Sequence, residues 1–264
     1  MLKKSRIAIL LILLVSCLLI FLIYLVSLYS DVSLLKNHYP VYSLENQRYE
    51  LQKTKPEHWV AHSEVSHNAK WAIIVSEDWA FFDHYGIDVN QLEKVIEESL
   101  EEQSFVRGAS TITQQVVKNA LLTPEKTLVR KFNEILMALM LEKILSKDEI
   151  LEHYLNLIEL GEDLYGIKAA SQFYFQKKPS KLNAKEGAFL AMLLPSPVRY
   201  SQSYRNQKLT EFAKSQIEEI LIKLRQARVL TEEQRQVERR RVLSFEVMNY
   251  FGEDLLSIEK ELGL

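Results

Sequence analysis

The residues best suited to chemistry fall in three short segments of a 264-residue chain. Glu77 and Asp78 follow Trp71-Ala72-Ile73-Ile74-Val75, an apolar run that reads as buried. Their carboxylates then emerge at the edge of a core, where partial desolvation raises a carboxyl pKa and makes a better base. In the second segment, Arg107 to Asn119, a glycine turn at Gly108 leads into Ser110, Thr111, Thr113, Gln114 and Gln115, then Lys118. Neutral donors with one cation suit a sugar or a phosphate. The third holds Lys126, Arg130, Lys131 and Glu134. On a helix Arg130 and Glu134 share one line, with Lys131 about 60° from Glu134. Each segment alone also has an ordinary structural reading: surface carboxylates at a helix end, a Ser-capped helix start, and an i, i+4 ion pair worth about 0.3–0.5 kcal/mol.

The elements that must position these residues read as helices. Gly (7) and Pro (6) are few, and Leu, Glu, Lys, Ile and Gln favour helix. Thr123-Pro124-Glu125 predicts a capped helix start. Beyond it, Phe132, Ile135, Leu136, Leu139 and Met140 recur at helical spacing opposite the charges, and the apolar run Ile135–Leu141 predicts full burial of that half. Ser146 with Glu149 predicts a second start, with Gly161 as the stop. Asn183 with Glu186 predicts a third, ended by Pro195 and Pro197, and Thr231 with Gln234 a last one. No stretch of four or more residues alternates like a strand, so the reading is an all-α domain.

Ile7 to Ser30 carries no charge and, at roughly 1.5 Å per residue, reaches across a hydrocarbon core of roughly 30 Å. Lys3, Lys4 and Arg6 precede it, which places the N-terminus in the cytoplasm and the rest outside. The run exceeds the roughly 7–15 apolar residues of a cleaved signal peptide, so it reads as an anchor. Cys17, the single cysteine, lies inside it, which excludes an intrachain disulfide. A formal net charge of -2 argues against a nucleic-acid binder, although residues 93–102 are acidic and 118–131 basic. The expected organisation is a cytoplasmic tail (1–6), a transmembrane helix (7–30), a polar stalk (31–56), a catalytic domain (57–230) and a helical tail (231–264).

Together the segments resemble, in order and spacing, the peptidoglycan glycosyltransferases: the monofunctional transglycosylases and the N-terminal domains of bifunctional penicillin-binding proteins. Glu77, Asp78, Phe81, His84 and Gly86 match one motif of that family. Gly108 to Gln115 with Lys118-Asn119 match a second, and Arg130, Lys131 and Glu134 a third. Lys147, Ile150, Leu151, Tyr154, Leu155 and Asn156 match a fourth. The resemblance runs from about Asn68 to Leu230. Departures are Ala109 for a usual glycine, Trp79 and Ala80 for a polar pair, Lys94 and Lys126 where arginine is frequent, and a blurred last motif over Lys214 to Leu221. Lysine keeps the charge but gives up planar bidentate phosphate binding.

The resemblance implies a lysozyme-like, two-lobed helical domain in the cell (inner) membrane, its catalytic part extracytoplasmic. It implies transfer of a growing undecaprenyl-pyrophosphate-linked glycan onto the 4-hydroxyl of lipid II. Glu77 is then the base. Glu134, matching the second family glutamate, orients the cations or helps bind the donor. Lys118, Lys126, Arg130 and Lys131 hold the pyrophosphate. Ser110, Thr111, Gln114 and Gln115 contact sugar or phosphate oxygens, and Lys94 and Asn119 complete the binding set. Asp78 and His84 brace the first motif, while Tyr154 and Asn156 read as structural. No cofactor is required. Mg²⁺ or Mn²⁺ can bridge pyrophosphate oxygens, but no carboxylate cage is visible. The substrate's lipid also implies that part of the domain enters the bilayer, with Leu121 and Leu122 the better candidates. Protein partners would come from cell-wall synthesis or division. A glycan-cleaving, lysozyme-like enzyme and an inactive membrane-tethered scaffold are the competing readings; a hydrolase needs no cationic clamp for a pyrophosphate.

Overall fold

The structure is a computed structural model that describes residues 2–101 and 110–246. Arg107, Gly108, Ala109 and the tail beyond 246 lie outside the described residues. Helix α1 (Leu2–Ser33) leads into a hairpin of β1 (Tyr39–Ser43) and β2 (Arg48–Gln52). Helices α2 (His67–Glu77), α3 (Val89–Glu101), α4 (Ile112–Leu121), α5 (Leu128–Ile144) and α6 (Lys147–Leu157) follow. A small β3 (Glu159–Gly161) and β4 (Leu164–Tyr165) pair precedes α7 (Ile167–Phe175) and α8 (Ala184–Leu193). The short α9 (Pro197–Tyr200) and α10 (Gln202–Arg205), then α11 (Glu211–Gln226) and α12 (Glu232–Arg240), complete the order. The domain is helical, as the sequence predicts.

The capping signals place the helix starts well. Ser146, Asn183 and Thr231 each accept from the backbone N–H three residues on, within complete capping boxes. Two boundaries differ. Helix α5 is capped by Thr127, not Thr123, so Lys126 stands in extended chain before it. Helix α6 ends at Leu157 rather than near Gly161, because Ile158 turns extended into β3.

The stalk reading is corrected at residues 39–52. Tyr39 to Ser43 pairs antiparallel with Arg48 to Gln52. The hairpin is fixed to the domain: the Tyr49 hydroxyl donates to the Leu157 carbonyl, and Tyr42 stacks on Tyr165 with ring centroids 4.0 Å apart. The alternation was present in Arg48-Tyr49-Glu50-Leu51-Gln52, where the apolar side chains recur at period 2.

The body of the domain packs α2 against α8 and α11. Every residue of α8 is buried. Gly187 makes this approach possible, since a Cβ there would lie 2.6 Å from the Ala69 Cα of α2. Helix α12 closes the body from outside, its Glu238 accepting from the Lys185 backbone N–H at 3.1 Å. On the other side α1 runs along α5: Leu28 and Val32 are buried, and the Tyr24 hydroxyl donates to the Asn133 side-chain carbonyl. The segment Ile9–Lys36 is long and apolar enough to cross a membrane.

Helix α5 departs from its periodicity. Its buried residues are Glu134, Met137, Ala138 and Leu141. Leu128 (90% exposed), Val129, Phe132 and Leu139 face outward, and Ile135, Leu136 and Met140 are only partly covered. The predicted full burial of Ile135–Leu141 is therefore wrong. This side of the domain flanks α1, which is long and apolar enough to cross a membrane, so an apolar stripe here need not face the protein core. Leu121 and Leu122, the expected bilayer residues, pack partly buried against the core.

Candidate functional site

Helix α2 delivers Glu77 at its last position. Asp78 leaves the helix with φ -157°, though its N–H still bonds the Ile74 carbonyl at 2.8 Å. Its carboxylate is buried and accepts from the Ile112 N–H and His84 Nε2, each at 2.9 Å. One side chain thus staples the end of α2, the following loop and the start of α4. The Thr111 hydroxyl adds a bond to the Gly86 carbonyl at 2.7 Å. Gly86 has φ +81°, and a Cβ there would lie 2.9 Å from the Ala138 carbonyl oxygen, so this loop needs glycine to lie on α5.

The Glu77 carboxylate is held, not free. Gln115 Nε2 donates to Oε2 at 3.0 Å, and the Tyr154 hydroxyl reaches the same oxygen at a long 3.5 Å. Tyr154 also donates to Gln115 Oε1 at 3.4 Å. Burial raises the Glu77 pKa above its ordinary 4.5, against the opposing pull of the Gln115 and Tyr154 bonds; Asp78 adds to the rise and Lys118 opposes it. The Tyr154 phenol is itself pushed well up, by burial first and then by Glu77, so it stays protonated and able to donate.

Cations gather on the next two elements. Glu134 is 1% exposed. It accepts from Arg130 Nη1 at 2.8 Å and from Lys131 Nζ. Lys131 Nζ also donates to Ser110 Oγ at 3.1 Å, joining α5 to the residues before α4. Lys118, in the last turn of α4, and Lys126 are exposed. With Asn119 and Arg130 they line a groove of about 840 Å³ whose other wall is the hairpin. Helix α4 joins the two centres: its Gln115 bonds Glu77, and Lys118, one turn on, lines the groove.

The structure sorts the expected residues. Glu77, Gln115 and Lys118 come together, as do Ser110, Arg130, Lys131 and Glu134. Thr111 and Gln114 are buried. They are the buried capping box of α4: the Thr111 N–H donates to Gln114 Oε1 at 3.0 Å, and the Gln114 N–H to Thr111 Oγ1 at 3.2 Å. Glu134 is buried, with its carboxylate turned to Arg130 and Lys131. Lys94 is exposed on α3, and no hydrogen bond or ion pair among the described residues joins it to either centre. Asp78 and His84 brace, as expected. Asn156 is a tie, exchanging bonds of 2.9 and 2.8 Å with the backbone of Val60.

Sequence reasoning missed Tyr154, which reaches Glu77. Its place on an apolar face concealed the hydroxyl; the signal available was a polar tip on a fully buried face, which must find a partner. It also missed the hairpin wall of the groove. Among the described residues no three His, Cys, Asp or Glu side chains cluster to hold a metal ion.

A helical domain behind an apolar helix, with a perturbed glutamate and a cationic groove, fits a glycosyl-transferring class. Residues 45–231 match the model of the Transglycosylase family, and the chain belongs to that family. It is similar to the biosynthetic peptidoglycan transglycosylase of Chromobacterium violaceum, 39% identical over 193 residues, which are 70% of this chain and 84% of that protein. The protein of the same name from Acinetobacter baumannii strain SDF is 38% identical over 156 residues (59% of this chain, 69% of that one). That from Shewanella frigidimarina is 44% identical over 149 residues (56% and 66%). The family match begins inside the β1–β2 turn, ahead of the domain start expected at residue 57.

Proposed function

We infer that this chain is a peptidoglycan glycosyltransferase that polymerises glycan strands in cell-wall biosynthesis. The 4-hydroxyl of lipid II attacks the anomeric carbon of the lipid-linked glycan. A new C–O bond forms, the bond to the diphosphate breaks, and the electron pair leaves with the undecaprenyl pyrophosphate, inverting the centre. The hydroxyl proton goes to Glu77. A sugar hydroxyl, acidic roughly as water at about 15.7, needs such a base in the transition state. The raised pKa of Glu77 strengthens it for that task.

Lys118, Lys126, Arg130 and Lys131 offset the charge that develops on the leaving group. Glu134 is a positioning residue, holding Arg130 and Lys131 through their ion pairs. Gln115 and Tyr154 aim the Glu77 carboxylate. The N-terminus lies in the cytoplasm and the domain outside, by the positive-inside rule. The outward apolar residues of α5, lying beside α1, enter the lipid and bring the groove to headgroup level.

The observation that carries this reading is helix α4, whose Gln115 holds Glu77 while its Lys118 lines the cationic groove. The test is incubation of the purified full chain with labelled lipid II and, separately, with preformed glycan strands. Polymer from lipid II is expected. Cleavage of the strands points to the hydrolase, and no change in either points to the scaffold; both overturn the proposal.

A further inference from the structure

We propose that the cavity between α8, α11 and α12 is a second binding site, one that takes an amino acid or short peptide by its free carboxylate, with Lys185 as the anchoring cation. The cavity has a volume of about 460 Å³ and lies in the body of the domain. No residue of the Glu77 centre or of the cationic groove lines it, so the site is separate from the transfer reaction proposed above.

Lys185 is the reason to expect an anion there. It stands in the first turn of α8, lines the cavity and is 8% exposed. Its Nζ donates to the Arg239 carbonyl at 3.2 Å and to the Arg241 carbonyl. An ammonium has three protons to donate, so one is left over. Among the described residues no carboxylate forms an ion pair with it; its partners are two neutral carbonyls. Burial lowers its pKa, and Glu246, Glu238 and Glu218 oppose that shift without pairing. A buried charge without a counter-ion is costly, and a ligand carboxylate would supply one.

The rest of the lining selects the kind of anion. Lys214 and Arg239 add cations, and the carboxylates of Glu211 and Glu218 share the wall. Those carboxylates repel a multiply charged anion such as phosphate, but they suit an ammonium. Leu209, Ile217 and Leu221 add an apolar patch that fits an aliphatic side chain. Glu218 is engaged by Arg235 and Arg239. Glu211 is held only by Lys214, at 2.7 Å, through side chains 90% and 49% exposed, and such surface pairs contribute little. That pair can open, Lys214 turning to the ligand carboxylate beside Lys185 and Glu211 to the ligand ammonium.

The experiment is calorimetric titration of the full chain in detergent with glycylleucine. Its amide, which lacks the carboxylate, its N-acetyl derivative, which lacks the ammonium, and inorganic phosphate are the comparison probes. Glycylleucine should bind, raise the melting temperature as a ligand of the folded state does, and bind more tightly than all three. Lys185→Met should weaken it roughly 10-fold, the scale of one charged hydrogen bond, and Lys214→Ala roughly 3-fold, the scale of an exposed charge contact. Lys214 is a surface position, so its variant carries the test if Lys185→Met fails to fold. No binding of glycylleucine, or unchanged affinity in a folded Lys185→Met or in Lys214→Ala, overturns the proposal. Equal affinity for the amide overturns the carboxylate contact, equal affinity for the N-acetyl derivative overturns the ammonium contact, and equal affinity for phosphate overturns the choice of ligand class. Binding is read without lipid II, so this site stands or falls apart from the transfer reaction.

Discussion

Helices α8 and α5 carry similar ingredients and use them differently. Each has a run of apolar residues and one buried glutamate. Helix α8 is covered on all sides, and its Glu186 caps its own start and takes Lys177 at 2.5 Å. Helix α5 buries Glu134 towards the site and leaves Leu128, Val129 and Phe132 outside. In the body of the domain, apolar residues meet protein and polar ones finish helix ends. Around the groove, apolar residues face outward beside α1, and the buried polar group is what holds the cations. Burial of a carboxylate is therefore no guide to its role until its partners are known.

The sharpest break in that comparison should come at the seam between the two regions. Glu77→Gln should lower polymerisation by roughly 10²–10⁴-fold, measured with labelled lipid II, while the melting temperature stays at or above that of the unaltered chain. The opposite pattern is expected in the body. Gly187→Ala forces a Cβ against the Ala69 backbone and should cost about 1–3 kcal/mol, the range for overpacking. Urea unfolding in detergent measures it, and an unchanged midpoint would mean that α2 and α8 can move apart freely.

Glu134→Gln should affect both properties, since it leaves Arg130 and Lys131 without their carboxylate. A stability loss of about 1–3 kcal/mol should accompany a fall in turnover, and Glu134→Asp should restore part of each. Phe132→Ser, on the outward face, should change stability in detergent by less than about 0.5 kcal/mol. It should nevertheless lower polymerisation on vesicles relative to micelles. Equal loss in both media would mean that this face meets protein, not lipid.

The smallest effect concerns pH. Glu77 titrates above its ordinary 4.5 in the folded chain, so the native state holds a proton that the unfolded state has released. Its stabilising contribution is complete below 4.5 and is lost as pH rises through the folded value. Glu77→Gln removes this dependence, so its advantage in melting temperature should widen from pH 4.5 towards neutrality. The acid limb of the rate should also lie above 4.5, because the base works only when ionised. His153 behaves in the opposite sense. Burial lowers its pKa from 6.5 to about 4, so its contribution is lost as pH falls through that lower value.

Much of the site was legible because its parts are local. Ser146 with Glu149 and Asn183 with Glu186 cap their helices within four residues, and the Arg130–Glu134 pair lies one helical turn apart. What escaped was contact across the chain. Gln114 and Gln115 are neighbours of the same type, yet one caps α4 and the other reaches Glu77. Thr123 and Thr127 are both plausible caps, and choosing between them moves Lys126 off the helix. Tyr154 looks like any core tyrosine until α2 and α4 are placed against α6.

By itself the sequence determined the helical class, the long apolar N-terminal helix, most helix starts and the pairing of Arg130 and Lys131 with a glutamate, because these depend on periodicity and on interactions within a turn or two. The tertiary structure decided which glutamine holds the base, which apolar stripe of α5 is left outside, and that the supposed stalk is a wall of the groove. Those outcomes depend on which surfaces meet, and residues 49 and 157, or 77 and 154, become neighbours only once the whole domain has packed.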